Sequence, residues 1–480
     1  MKELALLALD SAKVKGASYA DIRIGGTKSE LIEIKNGKVV SVKRESSYGF
    51  GVRVISDGGW GFASSADVTK PEIEDATALA VRIAKASAKL KSKDVILAPE
   101  GKHIDTWKTP FEIDPFTVSL EEKIGLLLSI DQILRSVKGV KVAESTMQFW
   151  DEDCLFANSE GSLIEQRILQ SGAGYSATAV NETEVQTRSY PNSFGGQYES
   201  CGYELISRFG LKENALRIGE EAVALLSAKQ CEQKVTALIL DGTQLSLQIH
   251  ESCGHPTELD RVLGSEANYA GTSFMTLDKL GKLKYGSEIV NIVADATTPR
   301  GLGSFAYDDE GVPGKRNDLI KNGMFVGYMT SRETAQAINQ RSNGTMRADG
   351  WHNIPLVRMT CINLLPGTWT LDDLIADTDD GIYMVTNRSW SIDDKRHNFQ
   401  FGTEIGWEIK NGKLGAMVKN PTYTGLTTEF WNSCDAICNK DHWEIWGTPT
   451  CGKGQPPQTA RTAQGTAPAR FRKTRVGVAY

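Results

Sequence analysis

The chain has 480 residues, 40% of them hydrophobic, and its 54 Lys+Arg against 60 Asp+Glu leave a net charge of -6. Such a length exceeds one compact core and predicts two to three domains with enough apolar material to fold without staples. With no dense basic run, nucleic-acid binding is not expected, and no stretch reaches the roughly 20 apolar residues of a membrane-spanning helix.

Leu4, Leu6 and Leu7 start an apolar run that Asp10, Lys13 and Lys15 cut short, so the N-terminus reads as an amphipathic first helix rather than a signal peptide. Ile32 and Ile34 face Val40 and Val42 across Asn36-Gly37, a two-residue hairpin signal. A second hairpin joins Val52–Ile55 to Trp60–Ala63 through Asp57-Gly58-Gly59, with Gly49, Gly51 and Gly61 reducing bulk along the pair. Thr69-Lys70-Pro71-Glu72 reads as a capping box opening a helix whose buried stripe is Ile73, Ala76, Ala80, Ile83 and Ala84. Ser119 with Glu122 opens another, with Ile124, Leu127, Leu128 and Ile130 on its apolar side. Met147–Thr187 reads as several short strands broken at Asn158, Gly161 and Asn181, and Glu204–Ser227 as a long amphipathic stretch.

The polar segment Ala228–Glu232 before the apolar strand Val235–Leu240 marks a boundary. The expected organisation is α+β: an N-terminal domain over 1–230, divisible into 1–100 and 101–230, then a strand-rich C-terminal domain over 231–480 carrying a metal site. Ile-Lys-Asn-Gly recurs at Ile34–Gly37, Ile320–Gly323 and Ile409–Gly412 with irregular separations, so it marks three independent hairpins rather than a solenoid. Composition alone suggests that the last 30 or so residues, rich in Gln, Pro, Thr and Arg, are disordered.

The segment His250-Glu251-Ser252-Cys253-Gly254-His255 carries the chemistry. Two imidazoles and a carboxylate next to the first are the makings of a hydrolytic zinc site, but the spacing is one residue longer than H-E-x-x-H. In an unbroken α-helix, residues five apart point well over 90° away from each other. Gly254 permits a distorted backbone, and Pro256 clashes with the carbonyl of Ser252, so a π-type turn or a helix break is expected to bring His255 beside His250. A catalytic zinc takes a third protein ligand, for which spacing leaves His352, His397, His442, Cys253, Cys451, Glu258 and Asp260 as candidates. Cys253 is so close that its side chain is expected to turn away from both imidazoles. Cys434-x3-Cys438 lacks a second pair and is a weak metal motif. The eight cysteines, scattered through a long chain, fit a reducing compartment, and a soluble cytoplasmic protein is expected.

Several separated blocks then resemble the TldD/PmbA family, in its metal-bearing TldD-like branch. They are Asn36-Gly37-Lys38, Gly49–Val54, Gly59–Ala63, His250-Glu251-x-x-Gly254-His255 with Glu258 and Asp260, and Asp308–Gly311 leading to Leu319-Ile320-x-x-Gly323. Pro355-x-x-Arg358-Met359 and Cys451-Gly452-Lys453-x-Gln455-Pro456 complete the set, so the blocks span nearly the whole chain. The resemblance implies a zinc-dependent peptidase in which His250, His255 and Cys451 hold the metal and Glu251 is the general base. It implies a cytoplasmic enzyme acting on unfolded peptides or small proteins, its site enclosed in the cavity of a homodimer or of a heterodimer with a homologous PmbA-like subunit lacking the metal motif. It also implies that the tail is packed, at least up to Pro456. Cys253, Pro256 and the segment Ser389–Lys395 depart from the family's usual pattern and bear on substrate range and partner.

Around this core, Glu258 reads either as an acceptor for a ligand imidazole N–H or as a solvated carboxylate. Arg300 and Arg358 read as salt-bridge residues before contacts to a peptide carboxylate or oxyanion, and His352 as a satisfied loop histidine. Asp308-Asp309-Glu310 reads as a turn cap rather than a calcium loop. The alternatives to a peptidase are a non-catalytic regulatory or scaffolding member of the same family and a zinc amidohydrolase of small non-peptide amides.

Overall fold

The computed structural model describes residues 1–477. Tight turns set its first sheet: Asn36 and Gly37 take φ of 49° and 76°, Asp57 and Gly58 take 53° and 74°, the left-handed pair that lets a hairpin follow the strand twist. They join β1 (Tyr19–Lys35) to β2 (Lys38–Ser56) and β2 to β3 (Gly59–Ser65). The sheet continues with β4 (Ile104–Lys108), β5 (Val140–Asn158), β6 (Leu163–Val180), β7 (Val185–Tyr190) and β8 (Gln197–Glu199). Its order is β3-β2-β1-β5-β6-β4, with β7 and β8 also paired to β6. The short strands expected over 147–187 are in fact long ones, because β5 pairs along nearly all of β1 on one side and β6 on the other.

Helices cover this sheet in two groups. α1 (Lys2–Val14) and α2 (Lys70–Ser87) bury Ala5, Ala8, Ile73 and Ala80 against Ile22 and Val52. Thr69 makes no side-chain cap, so the expected capping box is absent although the helix starts there with its proline in the first turn. α3 (Leu120–Ser136) is capped as expected, Ser119 Oγ accepting from Glu122 N at 3.1 Å. The amphipathic stretch over 204–227 forms two helices, α4 (Leu205–Arg208) and α5 (Leu211–Leu225), because Gly210 takes φ 55° between them. Leu127, Leu134 and Ile218 then pack on Ile32, Met147 and Ala177.

The rest of the chain begins with β9 (Lys229–Gln230), β10 (Lys234–Leu240) and α6 (Gly242–Ile249). Short strands follow: β11 (Ile292–Asp295), β12 (Arg316–Lys321), β13 (Met324–Phe325), β14 (Met346–Arg347), β15 (Leu356–Val357) and β16 (Ile362–Leu364). Longer ones end the chain: β17 (Asp380–Ile392), β18 (Asn398–Lys410), β19 (Lys413–Lys419), β20 (Thr422–Leu426), β21 (Cys434–Ile437), β22 (Glu444–Lys453), β23 (Gln458–Thr466) and β24 (Ala469–Val476). Their main sheet runs β17-β10-β24-β20-β18-β19-β9, and pairing of β17 with β18 closes a barrel. All three Ile-Lys-Asn-Gly strings are hairpin turns, with φ of 48° and 75° at Asn322-Gly323 and of 50° and 72° at Asn411-Gly412.

Over its described residues, up to 477, the tail is folded rather than disordered as composition suggested. β22 and β23 form their own hairpin, and β24 lies between β10 and β20 with Ala469, Phe471 and Val476 buried. Its buried arginine is matched: Arg470 pairs with Asp377 and Asp435. No helix among the described residues is long and apolar enough to cross a membrane.

Candidate metal centre

Strand β10 is followed by Asp241, whose carboxylate accepts from Thr243 N and starts α6. The helix keeps its α form to Ile249 and then widens: His250–Gly254 is a π turn, followed by a 3-10 turn over His255–Thr257 that contains Pro256. His255 N donates to His250 O, an i→i+5 bond that makes the two histidines one whole turn apart and places them on the same side. Their rings stand 5.0 Å apart at 87°. Gly254 permits this close packing, since a Cβ there would lie 2.1 Å from Met359 Sδ.

Cys451 arrives from β22. Its Sγ lies 3.6 Å from His255 Nε2, and the ligand atoms of His250, His255 and Cys451 all fall within 4.8 Å of one another. Two donors on one tetrahedral zinc, at bond lengths of about 2.0 and 2.3 Å, would stand about 3.5 Å apart. All three residues are buried. Burial would raise the Cys451 thiol, but His250, His255 and Arg358 together hold it well below its ordinary range, which favours the thiolate that binds metal. Arg358, buried and expected to form a salt bridge, instead donates to the backbone carbonyls of Cys451 and Gln458 and so fixes the ligand strand.

Each imidazole is held by its other nitrogen. Glu258 Oε2 sits 2.9 Å from His255 Nδ1, and the Gln464 side-chain amide 2.9 Å from His250 Nδ1. At His250 it is the amide nitrogen that faces Nδ1; ligation through Nε2 would put a proton on Nδ1, and the amide, whose two ends are interchangeable, would then present its oxygen. Behind Glu258 lies Lys453, fully buried, 3.4 Å from Glu258 Oε2 and 2.7 Å from Asp260 Oδ1. Burial opposes ionisation of Glu258, yet Lys453 and His255 hold it well below the usual carboxylate range. Burial alone would lower His255, but Cys451 and Glu258 push it up to about 9.

Glu251 meets Arg396, whose Nη1 donates to Oε2 at 2.5 Å. Burial raises its carboxyl, but Arg396 first and then His255 and His250 leave it below its ordinary value. Arg396 sits in the β17–β18 turn at φ 64°, where Asp393 Oδ1 accepts from His397 N and Asn398 N.

The remaining candidates lie elsewhere. Cys253 is buried in the apolar core beside Tyr285, with burial pushing its thiol up. His352 stands against Trp351 and His397 against Phe274, while His442 accepts from Leu371 N. Burial likewise pushes up the thiols of Cys434 and Cys438. Arg300 lies 3.5 Å from Glu199, the expected salt bridge. Asp308 Oδ1 accepts from Glu310 N and Val312 N, the expected turn cap. Sequence reasoning did not find Arg396, Gln464 or the structural part of Lys453; only Lys453 carried a signal, its place in the Cys-Gly-Lys block.

Fold and donor set define a class: an α+β protein whose barrel-containing C-terminal part presents a buried His-His-Cys constellation with a carboxylate beside it. Family models of the PmbA/TldA metallopeptidase match the chain three times, as domain 1 over residues 20–84, central domain over 113–230 and C-terminal domain over 233–477. A metalloprotease of Methanocaldococcus jannaschii is 33% identical over 87% of this chain and 89% of its own. A zinc metalloprotease TldD homolog of Saccharolobus solfataricus is 24% identical over 98% of each. Among solved structures, TldE from Thermococcus kodakarensis has a TM-score of 0.74 at 16% identity, covering 98% of this chain and 99% of its own. A candidate modulator of DNA gyrase from Thermotoga maritima has a TM-score of 0.78 at 17% identity, covering 99% of each; at such identities the two share the fold alone. The chain belongs to the PmbA/TldD metallopeptidase family.

Proposed function

We propose that the protein is a zinc-dependent peptidase that hydrolyses unfolded peptides or small proteins. The observation that carries this reading is the junction of α6 and its π turn, which places the ionised Glu251 directly beside a buried set of two imidazoles and a depressed thiol. The donor set suits zinc, three protein ligands leaving a fourth position for water or substrate. The names of relatives, metalloprotease and zinc metalloprotease, support the same reading.

Zinc bound by His250, His255 and Cys451 would supply a Lewis acid that polarises a peptide carbonyl and eases deprotonation of water. Glu251 accepts the proton of the attacking water and later delivers it to the leaving amine. Arg396 occupies Oε2 of Glu251, leaving Oε1 as the oxygen that exchanges the proton. Glu258 and Gln464 hold the Nδ1 side of the two imidazoles and would keep their other nitrogens turned toward the ion. A thiolate ligand also favours a reducing compartment, consistent with a cytoplasmic enzyme.

Glu251→Gln should keep one zinc per chain and lose turnover of an unstructured peptide; an active variant would sink the assignment. Cys451→Ala should lose the metal and Cys253→Ala keep it, as read by metal analysis of the purified proteins. We further propose that the working form is a dimer, of identical chains or with a homologous subunit of the same fold, enclosing the site. Light scattering tests the dimer, and ready cleavage of folded proteins would argue against enclosure.

A further inference from the structure

Away from the metal centre, a cavity of about 720 Å³ opens between the N-terminal sheet and the C-terminal part. None of His250, Glu251, His255 or Cys451 lines it; the β22–β23 hairpin stands between, giving Thr450 and Arg461 to the cavity and Cys451 and Gln464 to the metal centre. Two guanidinium groups share the cavity wall. That of Arg461 is neutralised: it donates to Gln170, pairs with Glu152 at 2.5 Å and lies 5.2 Å from the centre of the Trp150 ring.

Arg347 has no such partner. Its Nη1 donates to the backbone oxygens of Met359 and Arg461 at 3.2 and 2.6 Å, and among the described residues it forms no ion pair. Burial, with Arg461 and Arg358 adding like charge, pushes it down to about 10. Its Nε and Nη2 donate to nothing among the described residues. Those two atoms are the side-on fork that matches a carboxylate with two parallel hydrogen bonds. Phe305, 5.6 Å from the guanidinium, supports it from one side. The same cavity is lined by Glu45, Asp309 and Asp349, which repel a multiply charged phosphate but complement a ligand with an ammonium group at its other end.

We propose that this cavity binds the C-terminal carboxylate of a short peptide, held side-on by Nε and Nη2 of Arg347. Its aromatic walls, Trp150 and Phe305 among them, give the peptide's side chains an apolar surface. The site is separate from the metal centre, and binding there is measurable whether or not the protein is a peptidase.

The test is calorimetric titration of zinc-loaded Glu251→Gln protein with Ala-Phe-Ala, with its C-terminal amide, with an amidated peptide bearing an internal glutamate, and with inorganic phosphate. The free acid should bind, its amide about tenfold or more weakly, and phosphate should not displace the acid. Adding Arg347→Gln should weaken the free acid to the level of the amide, and Arg347→Lys should recover only part of the loss. Equal affinity for acid and amide, no binding of the acid, or displacement by phosphate at equal concentration would each overturn the proposal. If the glutamate-bearing amide bound as tightly as the acid, the C-terminal assignment would fall. Repeated on metal-free protein, where no zinc can take the carboxylate, the acid and amide comparison reads the cavity even if the Arg347 variants do not fold.

Discussion

His255 stores a proton that a metal must displace. Without metal, Cys451 and Glu258 flank its ring and push its pKa up to about 9, while Cys451 is held well below the ordinary thiol range. Ligation needs the imidazole with a free Nε2 lone pair and the sulfur as thiolate. Below about 9 the ring therefore gives up a proton on binding, whereas the already ionised sulfur gives up none. Zinc affinity should rise about tenfold per pH unit from 6 to 8 and level off above about 9. Calorimetry in buffers of different ionisation enthalpy should show one proton released; a flat affinity across that range would mean the ring is neutral beforehand. The parts of this site that sequence made legible are the local ones. His250, Glu251 and His255 declare themselves by adjacency, and Cys451 stood among several soft donors until a family resemblance singled it out. Arg396 and Gln464 were invisible because their contacts with Glu251 and His250 span 145 and 214 residues, and an arginine or glutamine has no spacing rule for such a task.

At the scale of the element, the π turn is the device that turns a five-residue separation into a shared site. Gly254 and Pro256 announced an irregular backbone, but not its reason for glycine, which lies in Met359 from a distant segment. A methyl group at 254 would meet Met359 Sδ at 2.1 Å. Gly254→Ala should therefore cost about 1–3 kcal/mol by overpacking and weaken zinc binding, because relief comes from shifting the turn that carries His255. Denaturant melts and metal titration of Gly254→Ala and of Gly254→Ala/Met359→Ala check this: the double variant should recover metal affinity if the clash is the cause. The Asn-Gly and Asp-Gly hairpins were legible for a similar reason, since positive φ at two successive residues leaves few residue types to choose from. Strand length was not, because how far β5 and β6 run depends on β1 beside them. Nor was the order of the tail: a polar composition hides the ion pairs that seat Arg470 beside Asp377 and Asp435.

Across the whole molecule, charge and glycine tie the first sheet to the C-terminal part. Arg53 of β2 is buried between Asp21 at 2.7 Å and Glu310 at 3.2 Å, and its guanidinium lies 4.4 Å from the Trp60 ring. Arg332 reaches Glu160 at 2.6 Å. Trp351 packs on Gly49, where a Cβ would approach its ring to 2.6 Å, which gives the glycines of β2 a purpose beyond strand flexibility. The Arg53–Glu310 and Arg332–Glu160 pairs join residues 257 and 172 positions apart in the chain, so no local pattern could have revealed them. Removing one member of a buried ion network leaves the others desolvated and unpaired, which costs about 3–5 kcal/mol. Arg53→Met keeps most of the volume and abandons Asp21 and Glu310 at the seam between the two parts. The loss should therefore appear as a weakened seam: calorimetric unfolding of the zinc-loaded protein should show one transition for the parent and two for the variant, the N-terminal and C-terminal parts melting apart. Excess zinc should raise only the second of these, since an ion held by His250, His255 and Cys451 stabilises the part that contains all three. A variant that melts in a single transition at the parent temperature would show that the Arg53 network carries no coupling between the two parts.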